Sequence, residues 1–143
     1  MKESCEFPES NPPDEAIRKI LAENKTVAIV GLSDKPERDS FRVAQYLKEH
    51  GYTVIPVNPT RTEILGEKSY PDLASIGSPV DIVDIFRNTE AIPGIVDEAI
   101  SIGARVVWMQ LGLAHNESAR KAAAAGLEVV QSKCIKIEHQ KLS

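Results

Sequence analysis

Thr26-Val27-Ala28-Ile29-Val30-Gly31 is a short, nearly continuous apolar run that ends on glycine. A run without polar alternation is what a strand covered on both faces of a parallel sheet requires, so it predicts a central strand. On its carboxyl side Leu32 to Asp39 reads as a polar loop. Ser40 to Leu47 then places Val43, Ala44 and Leu47 on one helical face, with Asp39 or Ser40 positioned to cap the helix. Gly51 stops that helix, and Tyr52-Thr53-Val54-Ile55-Pro56-Val57 reads as a second strand that ends near Pro56. Together these pieces make one βαβ unit. On the amino side, Pro13-Asp14-Glu15 opens a helix in which Ile17, Ile20 and Leu21 recur at helical spacing, expected to pack across one sheet edge.

The pattern repeats further along. After a loop-rich stretch with a short strand near Lys68 and Ser69 and a helical turn at Asp72-Leu73-Ala74, Val80 to Phe86 predicts a strand. Ala91 to Ile102 predicts a helix, Ala104 to Met109 a strand, Asn116 to Ala125 a helix, and Leu127 to Val130 a final strand. Strands alternating with helices imply a single α/β domain, a Rossmann-like parallel sheet of five or six strands with helices on both faces. The domain is assigned residues 14–143. Residues 1–13, with Pro8, Pro12 and Pro13 among polar residues, are expected to form an irregular arm.

Composition narrows the function. The 143 residues are 42% hydrophobic and 27% charged, ordinary for a globular protein, and the net charge of -4 offers no general attraction to nucleic acid or anionic membranes. An anionic ligand must therefore be held by a local basic cluster. Cys5 and Cys134 are too few for a disulfide framework, no export leader is recognisable, and no apolar run approaches the ~20 residues of a membrane helix. A cytoplasmic protein is expected.

In an open parallel sheet, ligands bind beyond the carboxyl ends of the strands where the crossover direction reverses. The residues there are Gly31-Leu32-Ser33, Val57-Asn58-Pro59, Phe86-Arg87-Asn88, Gln110-Leu111-Gly112 and Ser132-Lys133-Cys134. They bend backbone, donate hydrogen bonds and pair with phosphate. A nicotinamide dinucleotide fits poorly. Its fingerprint needs three glycines, but only Gly31 is present, Ser33 and Pro36 stand where the others belong, and the second strand ends without an acid for a ribose diol. A Walker-type phosphate loop is also missing.

Val30-Gly31-Leu32-Ser33, Arg38-Asp39-Ser40, the run from Gly51 to Pro59, Asp84-Ile85-Phe86-Arg87, the run from Val107 to Gly112, and Cys134-Ile135-Lys136-Ile137-Glu138 closely resemble the CoA-binding protein family. That family is similar to the nucleotide-binding domain of the succinyl-CoA synthetase alpha subunit standing alone. The resemblance spans nearly everything from Asn24 to His139. It implies that Gly31, Leu32, Ser33 and the start of the next helix hold the phosphates of coenzyme A, that Val57, Asn58 and Pro59 line its adenosine end, and that Phe86 and Arg87 border the same groove. Ser33, Ser40, Arg38, Arg42 and Arg87 are the donors such phosphates need. Cys134 falls in a segment that resembles a cysteine-containing loop of the synthetases, near the pantetheine thiol. Its simpler reading is a small buried hydrophobe.

The expected activity is binding of CoA or an acyl-CoA without intrinsic catalysis. A CoA-dependent ligase or transferase component that needs a partner subunit, and an NAD-binding regulator, are the competing readings. A protein partner or a homo-oligomer is compatible with the exposed sheet edges. Trp108 and Met109 read as core, and His50, His115 and His139 as surface or helix-end residues rather than metal ligands. Asp81 and Asp84 read as solvated strand ends.

Overall fold

Apolar strands of this kind leave no edge for water between neighbours, and they align in parallel here. The computed structural model describes residues 6–142. The strands β1 (Thr26–Val30), β2 (Thr53–Val57), β5 (Ile82–Ile85), β6 (Val106–Met109) and β7 (Glu128–Val130) form one parallel sheet in the order β2-β1-β5-β6-β7. Between β2 and β5, β3 (Glu63–Ile64) and β4 (Glu67–Lys68) pair as a small antiparallel hairpin. Leu65 and Gly66, both at positive φ, turn it.

Side chains alternate across the sheet. Val27, Ile29, Ile82, Val106, Trp108 and Val130 face α1 (Asp14–Glu23), α2 (Asp39–Glu49) and α5 (Ile135–Leu142). Ala28, Val30, Val83, Ile85, Val107 and Met109 face α3 (Ile92–Ser101) and α4 (Asn116–Ala124). The Rossmann-like α/β fold with helices on both faces is therefore present, with five strands in its main sheet.

Several local expectations are corrected. α1 does not lie across an edge: Ile17, Ile20 and Leu21 join the buried cluster of one sheet face. α2 begins at Asp39, so neither Asp39 nor Ser40 caps it; Arg38 holds the capping position without a side-chain bond. α5 was not anticipated, because Ile135-Lys136-Ile137 alternates apolar and polar as a strand does. It forms because Ile135 and Leu142 pack into the cluster beside α1 and α2, while Ile137 stays exposed.

Asp84 departs furthest from its reading. It sits inside β5 with no exposed surface, in register between Ile29 of β1 and Trp108 of β6. Asp81, just before β5, is half-buried, and its Oδ2 accepts from the backbone N–H groups of Lys25 and Thr26. Residues 6–13 contain no helix or strand and dock on α4 and β7: Asn11 exchanges two hydrogen bonds with the Gln131 backbone, and Glu9 pairs with Arg120 at 2.6 Å. Cys5 lies outside the described residues. Among the described residues, no helix is long and apolar enough to cross a membrane.

Candidate functional site

The chain runs from β1 outward to β2 and then returns past β1 to β5, so the crossover direction reverses between β1 and β5. Gly31 sits there at φ +91°. A Cβ at this position would lie 2.4 Å from the Phe86 carbonyl oxygen and 2.8 Å from Arg87 Cδ. Only glycine lets the segment after β5 close so near the turn after β1. The Gly31 N–H donates to the Val57 carbonyl at 2.9 Å, which ties the ends of β1 and β2 together.

Around Gly31 the predicted residues form a self-supporting crest. Leu32 is fully buried and only its main chain is available; its carbonyl accepts from Asn58 Nδ2 at 2.9 Å. Ser40 is buried, and its Oγ accepts from the Ser33 N–H at 3.0 Å, while Ser33 Oγ accepts from the Lys35 N–H. Asn58 Oδ1 accepts from both Thr60 N–H and Thr60 Oγ1. Arg61 donates to Asp34 at 2.7 Å and, chiefly through that hydrogen bond, holds the Asp34 carboxyl below its ordinary pKa. Val57 is buried in the core of the opposite face, and Pro59 and Arg38 are exposed.

Beside the crest opens a cleft of about 680 Å³ that gathers Arg42, Phe86, Arg87 and Cys134 from the predicted set. Three cations, Arg42, Arg87 and Lys136, line it with Leu111, Leu113 and Ile137. Arg42 stands 3.9 Å from Asp39, a loose and exposed pair. The Arg87 side chain has neither a hydrogen bond nor an ion pair among the described residues. Lys136, Ile137 and Gln140 could not be assigned to the site beforehand, because α5 carries them. Gln110 and Leu111 were visible as residues following β6, but position alone does not separate a lining residue from a turn residue.

Trp108 is core, as its apolar setting implied, and it also builds the site: its Nε1–H donates to the Lys133 carbonyl at 2.7 Å and pins the turn that carries Cys134. Cys134 is a half-buried free thiol. Gln110, only 4% exposed, lines the cleft, and its Nε2 donates to Asp84 Oδ1 at 2.5 Å. Asp84 Oδ2 has no partner among the described residues, and burial raises the carboxyl pKa to about 7 against the opposing pull of the Gln110 hydrogen bond.

The histidines lie elsewhere. His115 caps α4 by accepting from the Ser118 N–H. His139 bonds Tyr46 at 2.6 Å and meets the His50 ring at 5.4 Å, and burial lowers its pKa. No group of three or more His, Cys, Asp or Glu that could hold a metal occurs among the described residues.

Comparison with known proteins bears on the family of the chain. Residues 25–140 match the family model described as a CoA binding domain. An uncharacterised Bacillus subtilis protein, YneT, is 41% identical over 129 residues, covering 90% of this chain and 96% of that protein. A solved structure of a hypothetical protein from Pyrococcus horikoshii is 43% identical, with a TM-score of 0.90 over 99% of both chains. An ADP-forming acetate–CoA ligase of Archaeoglobus fulgidus is 30% identical over 83 residues, which is 57% of this chain but 12% of the ligase.

Proposed function

Since the chain belongs to the CoA-binding domain family, we propose that the crest and the cleft together hold coenzyme A or an acyl-CoA, and that the protein acts as a binding module without catalysis of its own. The observation that carries this reading is the contact between the Gly31 turn and the Phe86-Arg87 segment at the crossover point. It sets a glycine turn beside an arginine that is not committed to any partner among the described residues. In this reading the turn from Gly31 to Ser33 and the start of α2 face the phosphates, with Arg38, Arg42 and Arg87 as charged donors. Val57, Asn58 and Pro59 border the adenosine, Val57 through its main chain because its side chain is buried. The pantetheine arm runs along the cleft toward Cys134. The net charge of -4 makes these local cations the attraction for an anionic ligand.

A second reading has the domain serve as one component of an ADP-forming acyl–CoA ligase that needs another subunit. The match to the Archaeoglobus ligase favours it, and it predicts turnover only when that subunit is supplied. A role in the cytoplasm and a self-association through the sheet edges complete the proposal, the latter to be read by light scattering.

Isothermal titration with CoA, acetyl-CoA and NAD in parallel tests the reading. Saturable binding of CoA, weakened in Arg87→Ala, supports it; heat with NAD alone overturns it.

A further inference from the structure

Asp84 is out of place in a sheet whose other inward residues on this face are apolar. It has no exposed surface, and among the described residues its Oδ2 has no partner and its side chain's one hydrogen bond is to a carboxamide that forms part of the cleft wall. The two groups thus connect a buried acid to the ligand side of the molecule through a single side chain. A carboxamide has two unlike ends, a donor and an acceptor, and whichever end meets Asp84 leaves the other for the cleft.

We infer that Gln110 is a positioning residue for the ligand, and that the protonation state of Asp84 decides whether its amide donor or its carbonyl faces the cleft. This rests on the proposed function for its ligand and not for its switch. With Asp84 ionised, the carboxylate only accepts, so Gln110 Nε2 turns inward, as in the structure, and Oε1 remains for the cleft. With Asp84 protonated, its O–H donates to Gln110 Oε1 after the amide rotates by half a turn. The NH₂ group then faces the cleft, ready for a phosphate or carbonyl oxygen, and the buried negative charge is gone. An anionic, acceptor-rich ligand therefore binds better to the protonated form.

The midpoint falls in the neutral range because burial raises the Asp84 pKa to about 7. β1 and β6 present Ile29 and Trp108, and α1 presents Ile17, Ile20 and Leu21. α2 contributes Asp39 and Arg42 at the cleft and the partly buried Tyr46, and the loop after β5 contributes Arg87. α5 and the turn before it contribute Cys134 and Lys136 at the cleft, half-buried His139 and buried Glu138, the last 3.5 Å from Lys141. The two influences on Asp84 itself are burial and Gln110.

The test has two independent arms. In the ligand-free protein, the Asp84 carboxyl carbon and the Gln110 side-chain amide are followed by NMR from about pH 5.5 to 8.5. A shared midpoint near 7, absent from the amide signal of Asp84→Asn, is expected; a Gln110 amide that does not titrate overturns the coupling. In the second arm, CoA is titrated calorimetrically at about pH 6 and pH 8. Asp84→Asn, whose Nδ2 donates to Gln110 Oε1 as the acid would, is the reference that cancels titration of the ligand's own phosphates. Relative to it, the wild type should lose about five-fold in affinity at the higher pH, the scale of one hydrogen bond. Equal pH dependence in both proteins overturns the inference. If Asp84→Asn does not fold, Gln110→Met serves: it should raise the Asp84 midpoint and flatten the pH dependence, and an unchanged profile overturns the inference. Absence of CoA binding at both pH values overturns the functional reading, while the first arm still decides the coupling.

Discussion

The crest after β1 and β2 and the cleft after β5 and β6 lie side by side at one end of the sheet, and they use polar residues in opposite ways. In the crest, Ser33, Ser40, Asn58, Arg61 and Asp34 bond to one another or to nearby backbone, so the loops are held in shape before any ligand arrives. In the cleft, Arg87 has no such commitment among the described residues and Arg42 is only loosely paired, and behind the Gln110 wall Asp84 is buried with an oxygen that has no partner among the described residues. One region is organised by satisfied hydrogen bonds and the other is lined by groups that a ligand or a proton would satisfy. Preorganised backbone beside unsatisfied charge is an economical arrangement for binding a polyanion, because little ordering remains to be done on association.

The largest expected effect tests the cleft side. The Asp84 carboxyl, with an ordinary pKa of 3.8 and a folded value of about 7, is favoured in its protonated form. Its contribution is therefore fully present below the ordinary value and is lost as pH rises toward 7. Asp84→Asn, which cannot ionise, should be more stable than wild type at pH 8 by at most about 4 kcal/mol and nearly equal to it below pH 4, as read by urea unfolding. A pH-independent difference would mean that the cleft side is no less satisfied than the crest.

Gly31→Ala probes the seam between the two regions. Left-handed strain and the overlap with the Phe86 carbonyl should together cost about 3 kcal/mol, again by urea unfolding, and should weaken CoA binding. Retained stability would show that the seam yields. Arg87→Ala should then separate function from folding, with an unchanged melting temperature and a loss of CoA affinity of about ten-fold or more by calorimetry. The smallest effect belongs to the crest: Asn58→Ala should destabilise by about 1 kcal/mol, through the lost bonds to Leu32 and Thr60. If Asn58→Ala cost more affinity than Arg87→Ala, the contrast between a prebuilt crest and a receptive cleft would be reversed.

Part of the candidate cleft is legible in the sequence. Gly31, Arg42, Phe86, Arg87 and Cys134 follow strands or open the helix after β1, and three-dimensional placement brings Arg42, Phe86, Arg87 and Cys134 into one cleft with Gly31 against its edge. Ser40 was read as a cap or a donor to ligand; it does not cap α2, and its Oγ accepts from the Ser33 amide while its O–H keeps a hydrogen to donate. Leu32 was read as part of the phosphate-holding turn and Val57 as lining the adenosine end; their side chains are in the core, which leaves each its main chain for such a role. In each case the residue type permitted both roles, and which atoms remain accessible depends on neighbours distant in the chain.

What the sequence determined by itself was the kind and order of the main elements. Continuous apolar runs, helical spacing and glycine stops act over a few residues, and their physics is local. The resemblance added the family, through motifs whose spacing survives without any knowledge of contacts. Only the tertiary structure decided that α5 is a helix, that Lys136 reaches the cleft, and that Asp84 is buried between Ile29 and Trp108. Strand order and helix packing set burial, and burial determines whether a carboxyl is a solvated charge or a proton-binding group.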